Sequence, residues 1–365
     1  MLDLVVKLHS FGQVQSNGGT SLAIAKLLEL LQLSPENVSI ELNTRINRRQ
    51  IDALVNIPER TFLLEFKANS NLAGISSAIQ KLRELEDLAP HVVPLLAVRY
   101  MTAGGRKYCE EASINWMDLA GNAQIQAPGL YVHVEGRANT HKQTGRPGGV
   151  FAPKSSRIAR WLLTHHDSYW SQRQIAENTS MDEGFTSRIV GRLESSGYIR
   201  RNVDGQIRVS NPDLMLDAWA EEYDFFKHQV YRGHMPARSS QELLQTIPTT
   251  LTQVGWETAA TGLGAAWLLN QFAGFRIVTF YLRRGEVCRL SNLNEHLPGF
   301  RNDSPGANLW LVEPNDEGVF QGAQSVGDVP CVHPIQVWLD LKFHPERAPE
   351  AASSLRDQMP WRKKR

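Results

Sequence analysis

The segment from residue 155 to residue 210 restricts the fold of this chain more than any other stretch. Its first part, residues 155–165, places Ile158, Trp161 and Leu162 at helical spacing, which predicts a helix with one apolar face. Such a helix is expected to pack against neighbouring elements on that face and to meet solvent on the other.

Two further helices are marked by the residues at their starts. Ser171 and Gln174 form the pattern of a capping box, in which a hydroxyl and an amide side chain satisfy free backbone N–H groups. Asp182 is placed to cap the next helix, and Gly197 stands where a helix favours a left-handed residue at its end. The buried positions of this third helix recur at i, i+3, i+4 and i+7, namely Thr186, Ile189, Val190 and Leu193.

Two short strands, residues 198–203 and 206–210, follow the helices, and Asp204 and Gly205 between them form a strong hairpin pattern. Three helices and a two-stranded ribbon make up the winged helix-turn-helix, whose most common function is to bind duplex DNA. In that fold the third helix supplies the residues that enter the major groove.

The polar face of the third helix suits contacts with bases. Arg188 can fork onto guanine, Ser187 can reach a base or a phosphate, and Phe185 can contact a thymine methyl group. The alternatives are that Phe185 packs beneath the second helix, that Arg192 is a solvated helix charge, and that the fold binds protein instead of DNA. Arginines on the ribbon suit phosphates. The predicted DNA contacts are Arg173, Glu183, Phe185, Ser187, Arg188, Arg192, Arg200, Arg201 and Arg208.

The first 137 residues predict an α/β domain with a mixed sheet. The run at residues 92–99 is continuously apolar, which is typical of a strand buried on both faces. The predicted helices are residues 21–33, 75–88 and 106–112, and the predicted strands are residues 38–44, 49–56, 61–67, 92–99, 116–119 and 129–135.

Charged residues interrupt the apolar strand that ends at Lys67. Asp52 lies near one strand, and Glu65 and Lys67 lie two residues apart on the next, so both point to one face. The pattern resembles the PD-(D/E)xK nuclease-like superfamily, with Ile51 in place of the motif's proline. The resemblance implies a restriction-endonuclease-like fold, Mg²⁺ held by Asp52 and Glu65, and catalysis assisted by Lys67 and Gln80. The alternative is a solvent-facing pair on a half-buried strand.

A second distinctive phrase is Asp-Leu-Ala-Gly-Asn at residues 118–122, followed by a strand that ends in Glu-Gly-Arg at residues 135–137 and by a Gly- and Pro-rich linker at residues 138–154. Gly121 and Asn122 are turn residues, so a strand end with a tight turn is the simplest interpretation. The succession of this phrase, the linker and the winged helix resembles AbiEi-type antitoxins of type IV toxin–antitoxin systems. The resemblance implies a DNA-binding transcriptional regulator whose partner is a nucleotidyltransferase-like toxin.

The chain after the ribbon predicts a connecting helix within residues 211–238, an α+β domain at residues 239–350 and a basic tail at residues 351–365, of which residues 361–365 are expected to be disordered. The predicted elements of the α+β domain are helices at residues 258–271 and 332–341 and strands at residues 276–282 and 308–313. The antitoxin resemblance implies a nucleotidyltransferase-like fold. Residues 261–265 lack the serine that nucleotide binding requires there, so this domain is expected to be non-catalytic.

Composition limits the function further. The 39 Lys and Arg against 38 Asp and Glu give a net charge of +1, so DNA contact must come from a local patch. Cys109, Cys288 and Cys331 are far apart, which favours the reducing cytoplasm without structural zinc or disulfides. No apolar run is long enough to span a bilayer, so no membrane association is expected.

Two functions are therefore carried forward. The first is a sequence-specific DNA-binding regulator of the antitoxin kind, expected to be a homodimer because helix-turn-helix proteins usually read two half-sites. The alternative is a Mg²⁺-dependent DNA endonuclease that cuts with Asp52, Glu65 and Lys67 and is targeted by the winged helix.

Overall fold

The computed structural model describes the chain in two compact units, Met1–Pro147 and Gly148–Arg365. Each unit is built around a seven-stranded sheet of mixed direction, which confirms a mixed α/β, multidomain class. The described residues are 18–46, 49–68, 71–86, 91–139, 149–272, 274–283, 297–302 and 304–362. Cys288, most of the predicted linker and residues 363–365 of the predicted tail lie outside them.

The first unit has three described helices and nine strands. The strand order in its sheet is β1-β4-β5-β6-β7-β8-β9; β5, β6 and β7 run parallel, and the other neighbours are antiparallel. The elements are α1 (Gly18–Leu30), a 3₁₀ turn (Pro35–Asn37), β1 (Ser39–Leu42), β2 (Arg45–Ile46), β3 (Arg49–Gln50), β4 (Ala53–Ile57), β5 (Arg60–Lys67), α2 (Leu72–Glu86), β6 (Val92–Val98), α3 (Ala103–Glu111), β7 (Asn115–Asp118), β8 (Ala123–Ala127) and β9 (Leu130–Val134).

Alternation along β5 separates the two faces of this sheet. Phe62 and Leu64 are fully buried in one cluster with the apolar side of α1. Leu63 and Glu65 point to the opposite face, where α2 packs on β5 and β6. The side chain of Glu65 is therefore enclosed between the sheet and a helix.

Two strand predictions in this unit need correction. Residues 49–56 form two short strands separated at Ile51 and Asp52, because the chain leaves a small hairpin there and enters the main sheet at Ala53. The strand β8 was not predicted. Its alternating Ala and Gln residues have weak strand preference, and only the burial of Ala123 and Ile125 in the core fixes it.

The second unit contains the predicted three helices and ribbon, followed by a second large sheet with the strand order β15-β12-β16-β14-β13-β18-β17. Its elements are α4 (Ser156–Thr164), α5 (Gln172–Thr179), α6 (Glu183–Ser195), β10 (Ile199–Arg201), β11 (Ile207–Val209), α7 (Pro212–Glu222), a 3₁₀ turn (Phe225–Lys227), β12 (Gln229–His234), α8 (Ser240–Gln253), β13 (Glu257–Thr261), α9 (Gly262–Asn270), β14 (Val278–Arg283), β15 (Arg301–Asn302), β16 (Leu309–Glu313), a 3₁₀ turn (Glu317–Phe320), β17 (Gln324–Val326), β18 (Val329–Cys331), α10 (Pro334–Leu341) and α11 (Ala348–Asp357).

The start of α5, both ends of α6 and the hairpin of the ribbon lie where the local residue patterns predict them. Ser171 and Gln174 form a complete capping box at the start of α5, and Asp182 accepts a hydrogen bond from Phe185 N at the start of α6. Gly197 has a φ of +78° after α6, and Gly205 has a φ of +75° in the hairpin. Both are left-handed conformations that favour glycine.

Two predictions in the second unit need correction, one about the start of a helix and one about the tail. Residues 258–261 belong to β13, which lies between β14 and β18, and the helix begins only at Gly262. The run of small buried residues fits a buried strand and a buried helix equally well.

The predicted tail contains a helix, and two residues of its end, which was expected to be disordered, have defined contacts. The helix α11 extends to Asp357, and Trp361 and Arg362 both donate hydrogen bonds to the Asp213 carboxylate of α7. In the described part of the chain, no helix combines the length and apolar character needed to cross a membrane.

Candidate functional site

The outward face of α6 carries the predicted base-contacting residues. Glu183, Ser187 and Arg188 are exposed, whereas Thr186 and Ile189 on the opposite face are buried. Burial of one face and exposure of the other leaves the start of this helix open to a macromolecular partner.

Phe185 lies at the centre of a small basic and aromatic group on this face. Lys154 Nζ lies 5.5 Å from the centroid of its ring, and Arg188 Cζ lies 5.7 Å from the same centroid. The ring is half-buried, so it is neither fully packed beneath α5 nor fully exposed to solvent. Lys154 lies at the end of the predicted linker, whose basic residues could follow a DNA backbone or be simply solvated.

The other predicted arginines differ in how far they are engaged by the protein. Arg192 and Arg200 are exposed, and the exposed Arg173 forms an ion pair with Glu177 at 2.9 Å. An exposed pair of this kind is weak enough to rearrange around a phosphate.

The two remaining arginines of the ribbon have protein partners. Arg201 Nε lies 3.0 Å from Glu194 Oε2. Arg208 is half-buried, and its Nε donates to the His166 carbonyl at 3.2 Å. Arg200 is therefore the ribbon arginine most accessible to a phosphate.

The carboxylate cluster of the first unit forms where β4 begins beside β5. Asp52 immediately precedes β4, and its Oδ2 accepts a hydrogen bond from Phe66 N at 2.8 Å. Ala53 pairs with Leu64 across the strands, so Asp52 falls beside Glu65. The structure thus brings together Asp52, Glu65 and Lys67.

A residue that the sequence pattern did not identify completes this cluster. Glu65 is only 2% exposed; its Oε1 lies 2.8 Å from Lys67 Nζ, and its Oε2 lies 2.5 Å from Lys81 Nζ on α2. The predicted Gln80 is instead exposed and donates to Glu84 at 3.1 Å. Helix spacing from Ala78 places Lys81 at the border of the buried side of α2, but that spacing does not reveal that this side packs beside Glu65.

Burial dominates the electrostatics of Asp52. Partial burial raises the pKa of this carboxyl group, the hydrogen bond from Phe66 N opposes the rise, and the nearby charge of Glu65 adds to it. Lys81 and Lys67 also favour the ionised form. The cluster is therefore a compact group of two carboxylates and two ammonium groups.

The cluster does not fit the Mg²⁺ ion that the nuclease resemblance implies. Both oxygens of Glu65 are already ion-paired with lysine ammonium groups, whereas Mg²⁺ requires open carboxylate oxygens and repels nearby cations. Over the described ranges, no group of three or more His, Cys, Asp or Glu side chains is placed to hold a metal ion. In this structure both oxygens of the Glu65 carboxylate are paired with lysine ammonium groups.

The Asp118–Asn122 phrase forms a turn rather than a reactive site. The fully buried Asp118 carboxylate accepts hydrogen bonds from the backbone N–H groups of Met101, Gly121 and Asn122 and from the Asn122 amide. Asn122 in turn bonds the backbone of Arg137. The simplest interpretation of this phrase, a strand end with a tight turn, matches these contacts.

A second buried polar group lies in the C-terminal sheet. Asp340 accepts hydrogen bonds from Tyr223 at 2.5 Å, Thr261 at 2.5 Å, Tyr281 at 3.1 Å and Gln336 at 2.8 Å. Burial raises the pKa of Asp340 to about 6 against the effect of these donors. Thr261, which begins the segment at residues 261–265, is therefore engaged in a buried hydrogen bond within the protein.

Among known proteins, the similarities found are weak and are limited to solved structures. No protein-family model matches the sequence, and no curated protein matches it. Three solved structures are similar over part of the chain, at 10–14% identity and TM-scores of 0.22–0.24.

Two of the three structures are endonuclease-related. A repair endonuclease from Pyrococcus abyssi is 14% identical with a TM-score of 0.23, over 29% of this chain and 49% of that chain. The "EndoMS-dsDNA2 complex" is 14% identical with a TM-score of 0.22, over 29% and 46%. The chain thus spans about half the length of these two proteins. The protein of unknown function AF1548 is 10% identical with a TM-score of 0.24, over 48% and 97%.

Proposed function

We propose that this protein is a sequence-specific DNA-binding regulator that reads duplex DNA with α6 of a winged helix-turn-helix. The observation that carries the proposal is the exposed, polar and basic face at the start of α6, where Lys154 and Arg188 flank the ring of Phe185. A near-neutral chain needs such a local patch to bind a polyanion.

The geometry of α6 suits the major groove. Its first turn is fixed by the Asp182 cap, and recognition helices contact bases with their N-terminal residues. Arg188 supplies a guanidinium for guanine, and the half-buried Phe185 supplies an apolar surface for a thymine methyl group. The exposed Arg200 on the ribbon and Lys154 before α4 are placed for phosphates.

We further propose that the regulator acts as an AbiEi-type antitoxin. The support is the succession of the Asp118–Asn122 phrase, the linker, the helices and the C-terminal sheet. On this proposal the protein is a cytoplasmic homodimer that represses its own promoter and is paired with a nucleotidyltransferase-like toxin. Its own C-terminal domain is then a non-catalytic scaffold of nucleotidyltransferase-like descent.

An electrophoretic mobility-shift assay on the protein's own promoter tests the DNA proposal. We expect binding that weakens steeply with salt and an Arg188→Ala variant that loses about 1–3 kcal/mol of specific affinity. Arg276→Ala is the matched control, because Arg276 is an exposed arginine of the C-terminal domain that pairs with Glu346. The proposal fails if the wild type gives no shift at low salt, or if both variants bind equally well.

A Mg²⁺-dependent endonuclease is the second candidate, and the grouping of Asp52, Glu65 and Lys67 is the observation that favours it. The two lysines on Glu65 weigh against it. We therefore expect no nicking of supercoiled plasmid by the wild type with Mg²⁺ or Mn²⁺. Metal-dependent nicking that disappears in Lys67→Ala would establish the enzyme instead.

A further inference from the structure

An aromatic and basic surface lies at the edge of the C-terminal sheet, beside the 3₁₀ turn Phe225–Lys227 and β12. Phe226 is 51% exposed, and Arg232 Cζ lies 5.1 Å from the centroid of its ring. The same Cζ lies 4.6 Å from the centroid of the Trp310 ring. The guanidinium is therefore held by two aromatic rings, although Arg232 itself is exposed.

Arg232 differs from most of the arginines that pack against aromatic rings. Within the described ranges, it has no hydrogen bond and no ion pair with the protein. Other arginines of this kind are engaged by a hydrogen bond or an ion pair, namely Arg160, Arg208, Arg283, Arg347 and Arg356. A positioned guanidinium with unused donors suits an external anion, and the planar fork of arginine matches phosphate oxygens.

Further cations lie on or beside this edge of the sheet. His234 is two residues along β12 from Arg232 and so points to the same face, and Arg301 of β15 pairs with His234. The exposed Arg301 is thus a diagonal neighbour of Arg232, at roughly 7–8 Å between Cα atoms. The exposed Lys227 follows Phe226 in the turn. Three cations therefore accompany the exposed ring.

Two carboxylates occur close by, but neither forms an ion pair with Arg232. Glu313 of β16 pairs with Gln229, which is three residues from Arg232 on β12, so the Glu313 side chain points to the opposite face of the sheet. Asp224 Oδ1 accepts a hydrogen bond from Phe226 N at 3.0 Å, which holds it to the backbone of the turn. The face that carries Arg232 consequently presents positive charge next to an exposed ring.

We infer that this edge of the C-terminal sheet binds single-stranded nucleic acid, with Phe226 stacking on a base and Arg232, Arg301 and Lys227 contacting phosphates. Proteins that bind single strands combine a basic surface that follows the backbone with aromatic side chains on which bases stack. The bases of a double helix are already stacked on one another, so an exposed ring favours unpaired bases. The site uses none of the α6 residues and does not depend on the proposed binding of duplex DNA.

Fluorescence anisotropy of a labelled oligo(dT) strand with the full chain tests this inference, and an oligo(U) strand of equal length tests RNA. We expect both strands to bind, with an affinity that falls as salt is raised, and tighter binding of one shows which nucleic acid the surface prefers. Polyglutamate is the matched polyanion without bases and should compete poorly. Absence of binding by both strands at low salt, or equal competition by polyglutamate, overturns the inference.

Two pairs of variants locate the binding surface. Phe226→Ala and Arg232→Gln should each weaken binding of the strand by about fivefold or more, and both should fold, because these side chains are exposed. Phe272→Ala and Arg347→Gln are the matched controls and should bind as the wild type does. Phe272 is 44% exposed and lies 5.7 Å from Arg347 Cζ, but Arg347 is paired with Glu350. Equal binding by all four variants places the strand elsewhere and overturns the inference.

Discussion

Glu65 shows how the stability of a buried carboxylate depends on each of its partners. Its side chain is almost fully enclosed, and Lys67 and Lys81 each bind one oxygen. Removing one ammonium group leaves part of a buried charge uncompensated, and the loss exceeds what an exposed ion pair contributes.

Replacing Lys81 with Met should therefore destabilise the first unit by about 1–3 kcal/mol. Urea denaturation measures the change. Lys26→Met is the control, because Lys26 pairs with the exposed Glu29 and should cost no more than about 0.5 kcal/mol. Equal effects of the two substitutions would show that the contacts of Glu65 with lysine contribute little.

At the residue scale, sequence patterns located charges better than they located the partners of those charges. Glu65 and Lys67 stood out because they interrupt an apolar strand, but Lys81 comes from a helix whose packing on the sheet is a long-range property. The contacts of the buried Arg160 on α4 could not be predicted for the same reason, since Trp219 and Gln336 come from distant parts of the chain. Local patterns report on neighbours in the chain only.

At the element scale, the start of α6 is held by one side chain. The Asp182 carboxylate accepts from Phe185 N at 2.7 Å, and the negative charge also interacts favourably with the positive end of the helix dipole. The residues expected to touch DNA lie in the turns that follow, so their placement depends on this cap.

Asp182→Ala should loosen the first turn of α6 by about 1 kcal/mol. Hydrogen–deuterium exchange resolves the effect locally, as faster exchange at Phe185 N and its neighbours with little change in α5. Asp204→Ala in the exposed hairpin loop is the control and should leave exchange in α6 unchanged. Unaltered protection of the first turn in Asp182→Ala would mean that tertiary packing alone fixes the helix start.

Elements with strong end markers were predictable from sequence, and buried elements without them were not. The capping box at Ser171 and the glycines at 197 and 205 define boundaries by local chemistry. The strand β13 has no such marker, because its small buried residues satisfy both periodicities, and only pairing with β14 and β18 makes it a strand. The strand β8 depends in the same way on its neighbours β7 and β9.

At the scale of the whole molecule, buried titratable groups set the pH dependence of stability. Burial lowers the pKa values of His228, His333 and His344 to about 4. Between pH 6.5 and 4, these histidines therefore bind protons in the unfolded chain but remain neutral in the folded chain. Asp340 acts in the opposite direction, because its pKa of about 6 in the folded protein exceeds the ordinary value of 3.8. The three histidines together therefore affect the pH dependence of stability more than Asp340 does.

Stability should therefore fall as the pH is lowered from 6.5 towards 4, by about 1.4 kcal/mol per pH unit for each net proton taken up on unfolding. Chemical denaturation at several pH values, followed by tryptophan fluorescence, measures the slope. Asp340→Asn removes the opposing contribution and should make the fall steeper. A stability that rises on acidification across this window would show that the histidines are not buried as neutral groups.

The Asp340 carboxylate joins four elements of the second unit through single hydrogen bonds: the end of α7 through Tyr223, β13 through Thr261, β14 through Tyr281, and its own helix α10 through Gln336. None of these elements can leave without breaking a bond to the same buried group. The second unit should consequently lose its structure in one cooperative step. A protease that nicks the chain between α7 and β12 will then release no trimmed fragment that persists on its own.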